Sequence, residues 1–136
     1  MNQQTYLLDT SFMVDLADEK AARKNGPARR ALAAFAKSPL YISPVTVAEF
    51  LETVKNRHAT LAALMGYGWH TIGDAVAQRC ALNQKRSARE GRRMGENDAW
   101  QAAIAMAHDH TLVGCDEAFE NRPWLKYIDH REKFGK

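Results

Sequence analysis

At 136 residues, 26% of them charged and 46% hydrophobic, the chain fits one domain, 1–136, with a single sizeable core. Its apolar runs fall far short of the roughly 20 residues that cross a bilayer. Its start lacks the basic head and apolar stretch of a secretory signal, so a cytoplasmic protein without membrane contact is expected. The net charge of +3 favours an anionic partner only weakly.

Thr5 to Leu8 reads as a short buried strand that runs straight into Asp9, Thr10 and Ser11. Thr10 or Ser11 can cap a short helix through Phe12, Met13, Leu16 and Ala17. The polar segment Asp18 to Gly26 reads as a loop. Pro27 suits a first helical position, and Ala28 to Lys37 should be helical, with Ala31, Leu32 and Phe35 inward. Pro39 ends that helix, and Leu40 to Ile42 forms a second strand.

Ser43-Pro44 is a helix start, with Ser43 as the cap. Val47, Leu51 and Val54 then form an apolar stripe, and Glu49 lies off it. His58 to Met65 continues as helix. Tyr67 to Ile72, bracketed by glycines, is either a loop or a short strand. Asp74 to Glu90 reads as a long helix with Ala75, Val76, Cys80 and Leu82 as its apolar residues and Gly91 at its end.

Gly95 to Asp98 precede another helix, whose buried side carries Ala99, Trp100, Ala103, Ile104 and Ala107. Thr111 to Cys115 is a third strand, followed at once by Asp116. Leu125 to Ile128 could form a last strand, and 131–136 should fray. Strands alternating with helices point to an α/β domain, a parallel sheet flanked by helices.

In such a sheet, ligands bind beyond the carboxyl ends of the strands where strand order reverses. Asp9 and Asp116 directly follow strands, and Glu49 and Asp98 sit in first helical turns, so all four can meet at one rim. Each acid has a structural explanation by itself. Asp9 and Asp98 can answer a helix dipole, and Glu49 can be a solvated helix residue. Those explanations do not account for four acids together. Two carboxylates ~4 Å apart repel by roughly 4 kcal/mol at an effective dielectric near 20. A divalent cation removes that repulsion, and all-oxygen donors select Mg²⁺ or Mn²⁺. Such a centre can activate water and neutralise charge on a phosphate. The basic cluster Lys85, Arg86, Arg89, Arg92 and Arg93 precedes Asp98 and could hold phosphates. It could equally be a solvated helix face.

The segments Leu7-Leu8-Asp9-Thr10-Ser11, Val47-Ala48-Glu49-Phe50, Asn97-Asp98-Ala99-Trp100 and Leu112-Val113-Gly114-Cys115-Asp116 occur in an order that resembles the PIN-domain ribonucleases. The nearest resemblance is to the VapC-type toxins of bacterial toxin–antitoxin systems. The resemblance implies a three-layer α/β/α domain with a central, mainly parallel sheet. It implies a metal-dependent endonuclease acting on RNA, with Asp9, Glu49, Asp98 and Asp116 as catalytic, metal-binding acids. Thr10 or Ser11 would support them by hydrogen bonding. It also implies a homodimer and a cognate antitoxin. This chain departs from the family at three places. Gly114 stands where threonine is frequent, Asp116 where asparagine is frequent, and Trp100 where an aliphatic residue is usual. The Asp116 departure leaves open whether that residue touches metal directly. The alternatives are a catalytically inactive PIN-like module or a receiver-like signalling domain. A receiver would carry adjacent acids after the first strand, where this chain has Thr10 and Ser11.

Other residues have structural explanations. Asp15 is expected to be exposed, and Glu117, Glu120 and Asp129 are surface charge. His108-Asp109-His110 has the wrong spacing for one helix face, which argues against zinc. His58, His70 and His130 lack partner spacing. Cys80 and Cys115 read as small buried hydrophobes, and Met65, Met94 and Met106 as core fillers. Trp69 and Trp124 can pack, line a dimer interface or stack on bases.

Overall fold

The computed structural model describes residues 3–135. Its five strands are β1 (Tyr6–Leu8), β2 (Leu40–Ile42), β3 (Gly68–Trp69), β4 (Thr111–Gly114) and β5 (Tyr127–Asp129). The helices are α1 (Thr10–Ala22), α2 (Pro27–Ala34), α3 (Pro44–Thr53), α4 (Arg57–Leu64), α5 (Asp74–Arg89), α6 (Glu96–Ala107) and α7 (His130–Phe134). A 3-10 turn spans Glu117–Phe119. All strand pairs are parallel, in the order β3-β2-β1-β4-β5. The chain builds outward from β1 to β3, then returns to lay β4 beside β1. The strand order therefore reverses between β1 and β4, whose carboxyl ends form the crevice.

Side-chain alternation splits the core into two layers. Leu7 and Leu112 face one side and pack with Val76 and Cys80 of α5 and Ala102, Ala103 and Ile104 of α6. Leu8, Ile42 and Val113 face the other and meet Phe12, Met13 and Leu16 of α1, Ala28 and Ala31 of α2, and Val47 of α3. Both sheet faces are covered, which explains why the strands are short apolar runs with little polar alternation. The three-layer α/β/α expectation holds.

Several local expectations are corrected. Residues 18–22 are helix, because Ala, Glu and Lys extend α1 until Arg23 ends it with a left-handed φ of 53°. Glu19 then reaches across and accepts from the amides of Ala28 and Arg29, both at 2.9 Å. It caps α2, whose own N-cap residue, Gly26, has no side chain to do so. Helix α2 stops at Ala34, short of Lys37.

In α5 the buried stripe is Val76, Cys80, Asn83, Gln84 and Ser87, so Leu82 lies off it and is exposed. The polar members of that stripe are satisfied. Gln84 exchanges two hydrogen bonds with the backbone of Met94, at 2.9 and 3.1 Å. Met94 is core, whereas Met65 and Ala107 are exposed.

The last segment does not fray over 131–134. It forms α7, held by the Arg30 Nε bond to the Phe134 carbonyl at 2.7 Å and by edge contact of Phe134 with Phe35. Lys136 lies outside the described residues.

Candidate active site

Each of the four acids is placed by a local rule. Asp9 leaves β1 at its carboxyl end and caps α1, accepting from the Ser11 amide at 3.2 Å and the Ser11 hydroxyl at 2.7 Å. Asp116 follows β4 and caps the 3-10 turn, accepting from the Ala118 amide at 2.9 Å. Glu49 lies in α3, which Ser43 and Pro44 start at the end of β2. Asp98 lies in the first turn of α6.

Their mutual influence is electrostatic. Burial raises the Asp98 carboxyl to about 6, helped by the negative charges of Asp116, Asp9 and Glu49. Burial also raises Asp9, opposed by its bonds from Ser11 and Thr10, and the charge of Asp116 adds to the rise. The four acids therefore share one rim. They do not collapse into a tight knot: no three of them bring oxygens within 4.8 Å of one another.

Ser11 does more than the sequence suggested. Its hydroxyl donates to Asp9 and accepts from the Cys115 amide at 2.9 Å, joining the ends of β1 and β4. A Cβ on residue 114 would lie 2.8 Å from the Ser11 hydroxyl and 2.9 Å from the Asp9 Cβ. Gly114 thus leaves the space that Asp9 and Ser11 fill.

Glu49 is held by a second network that includes two residues outside the expected set. Thr10 donates to Glu49 at 2.8 Å. Thr10 and Thr46 hydroxyls are 3.0 Å apart, and the Gln101 amide nitrogen lies 2.7 Å from Thr46 and 3.3 Å from Thr10. A carboxylate only accepts, so the Thr10 hydrogen goes to Glu49. Thr46 must then donate to Thr10, and Gln101 to Thr46, giving a one-way donor chain. The Gln101 Oε1 atom is buried without a partner. The available signal was position: Thr46 precedes Glu49 by three and Gln101 follows Asp98 by three, one helical turn each.

The basic cluster is divided. Arg92 donates to the carbonyls of Glu120 (2.9 Å), Asn121 and Glu117, bracing the segment behind Asp116. Arg86 lies over the Trp124 ring at 5.3 Å, as does Arg122 at 5.6 Å, which occupies Trp124 with packing. Arg93 pairs loosely with Glu96 at 3.7 Å. Lys85 and Arg89 are exposed. Arg122, not singled out from sequence, is buried and binds Ser87 and the backbone of Ala118 and Arg92.

Asp15 is not exposed. It accepts from His130 Nε2 and from two nitrogens of Arg131, each at 2.7 Å. The Arg131 guanidinium, with the hydrogen bond from His130 adding to it, holds the Asp15 carboxyl below the usual range, against the opposing effect of burial. Donor atoms of Asp15, Cys115 and His130 lie within 4.8 Å of one another. Arg131 already occupies both Asp15 oxygens, so this group is a structural clasp between α1 and α7.

The geometry agrees with comparison to known proteins. The model of the PIN domain family matches residues 6–125. The chain belongs to the PIN domain family. Its fold is similar to that of VapBC-1 from nontypeable Haemophilus influenzae, at TM-score 0.75, 20% identity and 93% and 98% coverage of this chain and that one. A DNA-bound VapBC from Salmonella typhimurium gives 0.76, 19%, 94% and 99%. A toxin–antitoxin complex from Klebsiella pneumoniae gives 0.72, 22%, 92% and 97%. No curated protein sequence matches.

Proposed function

We propose that this chain is a metal-dependent endoribonuclease, the toxin of a toxin–antitoxin pair, acting in the cytoplasm as a homodimer and neutralised by a cognate antitoxin. The observation that carries the proposal is the convergence of Asp9, Glu49, Asp98 and Asp116 at the reversal of strand order, close enough for the other three charges to raise the Asp98 carboxyl. Among the described residues, no cation lowers the Asp9 or Asp98 carboxyl at that rim. The donor set is carboxylate only, which fits Mg²⁺ or Mn²⁺ and excludes a preference for soft ions. Asp9, Glu49, Asp98 and Asp116 would hold the ion. When bound, it supplies Lewis acidity to water and to the scissile phosphate.

The chain's own residues prepare that chemistry. Ser11 fixes the rotamer of Asp9, and Thr10 fixes that of Glu49. The Asp98 carboxyl, raised by burial and its acidic neighbours, would ionise more readily beside a bound cation. Lys85 and Arg89, exposed on α5, are the free cations of the basic cluster available to an RNA backbone. Antitoxin partnership rests on the similarity to toxin–antitoxin complexes. Among the described residues, no helix is long and apolar enough to cross a membrane.

The test is RNA cleavage by purified protein in Mg²⁺ or Mn²⁺, with 5′-phosphate ends as the product. Chelator should abolish it. Cleavage that persists undiminished in chelator would point instead to attack by a ribose hydroxyl. Sequencing of RNA ends after brief expression of wild type and Asp9→Asn would identify the target.

A further inference from the structure

Three histidines unused by the proposed chemistry meet in one stack near the amino-terminal ends of β1 and β4. His110 immediately precedes β4, His108 ends α6, and His70 follows β3. Tyr41 of β2 stacks against His70 and His110, with ring centroids 4.6 and 4.5 Å apart. His108 lies flat on His70 at 3.7 Å. The Nε2 atoms of His70 and His110 are 2.6 Å apart, and His110 Nδ1 is 2.5 Å from the Thr5 hydroxyl.

We propose that His70 and His110, joined by His108, bind a transition-metal ion of the Zn²⁺ or Ni²⁺ class at a site separate from the acid rim. Two Nε2 atoms aimed at each other this closely must share one proton. The shared position is also where an ion bridging the two imidazoles would sit. Thr5 holds the outer nitrogen of His110 and so orients the ring with Nε2 toward His70, the kind of outer hydrogen bond that metal-binding histidines use. Burial lowers His70, with the nearby His108 adding to the effect, and brings His110 to about 4. An all-imidazole set prefers Zn²⁺, Ni²⁺ or Cu²⁺ over Mg²⁺.

With Zn–N bonds of about 2.0–2.1 Å, tetrahedral ligands lie roughly 3.3 Å apart, so the pair must open by under about an ångström and the two rings, now end to end, must tilt toward a shared apex. Residues 70–73 have no regular structure, which allows His70 to withdraw. His108, parallel to His70 within 5°, cannot share an in-plane ion while stacked. It is exposed and can turn to offer the third nitrogen. The ion would then tie the β3–α5 loop to the α6–β4 junction.

The test is calorimetric titration of Mg²⁺-saturated full-length protein with Zn²⁺. One additional ion is expected. His70→Gln should remove it, His108→Gln should weaken it about tenfold, and Cys115→Ala should retain it. The Zn²⁺-induced rise in Tm should vanish in His70→Gln, whose own metal-free Tm reports folding. Absence of the additional ion in wild type, or its retention in His70→Gln, overturns the site. Loss in Cys115→Ala alone would assign the ion to the α1–α7 clasp and overturn it too. Unchanged affinity in His108→Gln rejects the three-nitrogen arrangement. None of these outcomes depends on ribonuclease activity.

Discussion

Asp9 and Asp15 belong to the same helix, one at its cap and one inside it, and the fold treats them oppositely. Asp15 receives His130 and Arg131, and its carboxyl is pulled down. Asp9 receives only neutral donors from Ser11 and Thr10, faces other acids, and is pushed up. Both are shielded from water, so the contrast comes from what the neighbours supply. At the clasp the chain completes the charge pairing and gains attachment of α7. At the rim, among the described residues, no cation answers the negative charge, and the carboxyls of Asp9 and Asp98 are pushed up. Uncompensated charge at a strand-order reversal marks function better than acid content does.

Substitutions can break this contrast from either side. The largest effect is expected for Asp9→Asn, which should lower RNA cleavage by about a thousandfold or more, on the order of 4 kcal/mol of barrier. Its Tm should not fall, because a repelled buried charge has been removed; thermal denaturation in chelator checks this.

Next comes Asp15→Ala. It strands the fully buried His130 and should reduce stability by about 2–3 kcal/mol, while cleavage per folded molecule stays intact. The sign with pH follows from a depressed carboxyl. The Asp15 contribution is present above the unfolded value near 3.8 and is lost as pH falls through the lower folded value. The penalty of Asp15→Ala in urea unfolding should therefore persist at pH 5 and shrink only in strong acid.

Gly114→Ala should cost about 1–2 kcal/mol and roughly tenfold in cleavage, because its methyl group meets Asp9 and Ser11. A larger loss of activity than of stability would show that the strain falls on Asp9.

The smallest effect is a gain. Asp98 has a raised carboxyl, so the folded state binds its proton more tightly between about 6 and 3.8, and ionisation above about 6 opposes folding. Asp98→Asn should stabilise the metal-free protein by about 1 kcal/mol at pH 7.5, discounted for partial exposure. That gain should fade toward pH 4. Equal Tm differences at both pH values would mean that the rim is not charged as described.

Much of the fold was legible because the signals were local. Leu40 to Ile42 lies between Pro39 and the Ser43-Pro44 helix start, and β2 and α3 occupy those positions. The end of α5 was legible from Gly91, whose φ is 71°. Errors arose where a polar residue gained a distant partner. Asp18 to Gly26 was polar enough to read as a loop, yet Glu19 acquired the amides of α2. Leu82 was apolar enough to read as core, yet Asn83, Gln84 and Ser87 took the buried stripe because Met94 and Arg122 satisfied two of them. The tail looked free because nothing nearby in sequence could hold Arg131, whose partner is Asp15.

The candidate site divides in the same way. The sequence alone determined the acids: an aspartate at the end of each of two apolar runs, and two further acids at helix starts. Strand and helix periodicity sends such residues to one rim whatever the packing details. Only the tertiary structure decided that Gly114 makes room for Asp9, that Ser11 joins two strand ends, and that Gln101 heads a donor chain to Glu49. It alone separated Asp9 from Asp15, and it alone gathered His70, His108 and His110. Backbone periodicity is set by nearest neighbours in the chain. Hydrogen-bond direction, burial and charge compensation depend on groups many residues away, and exist only once the sheet has brought them together.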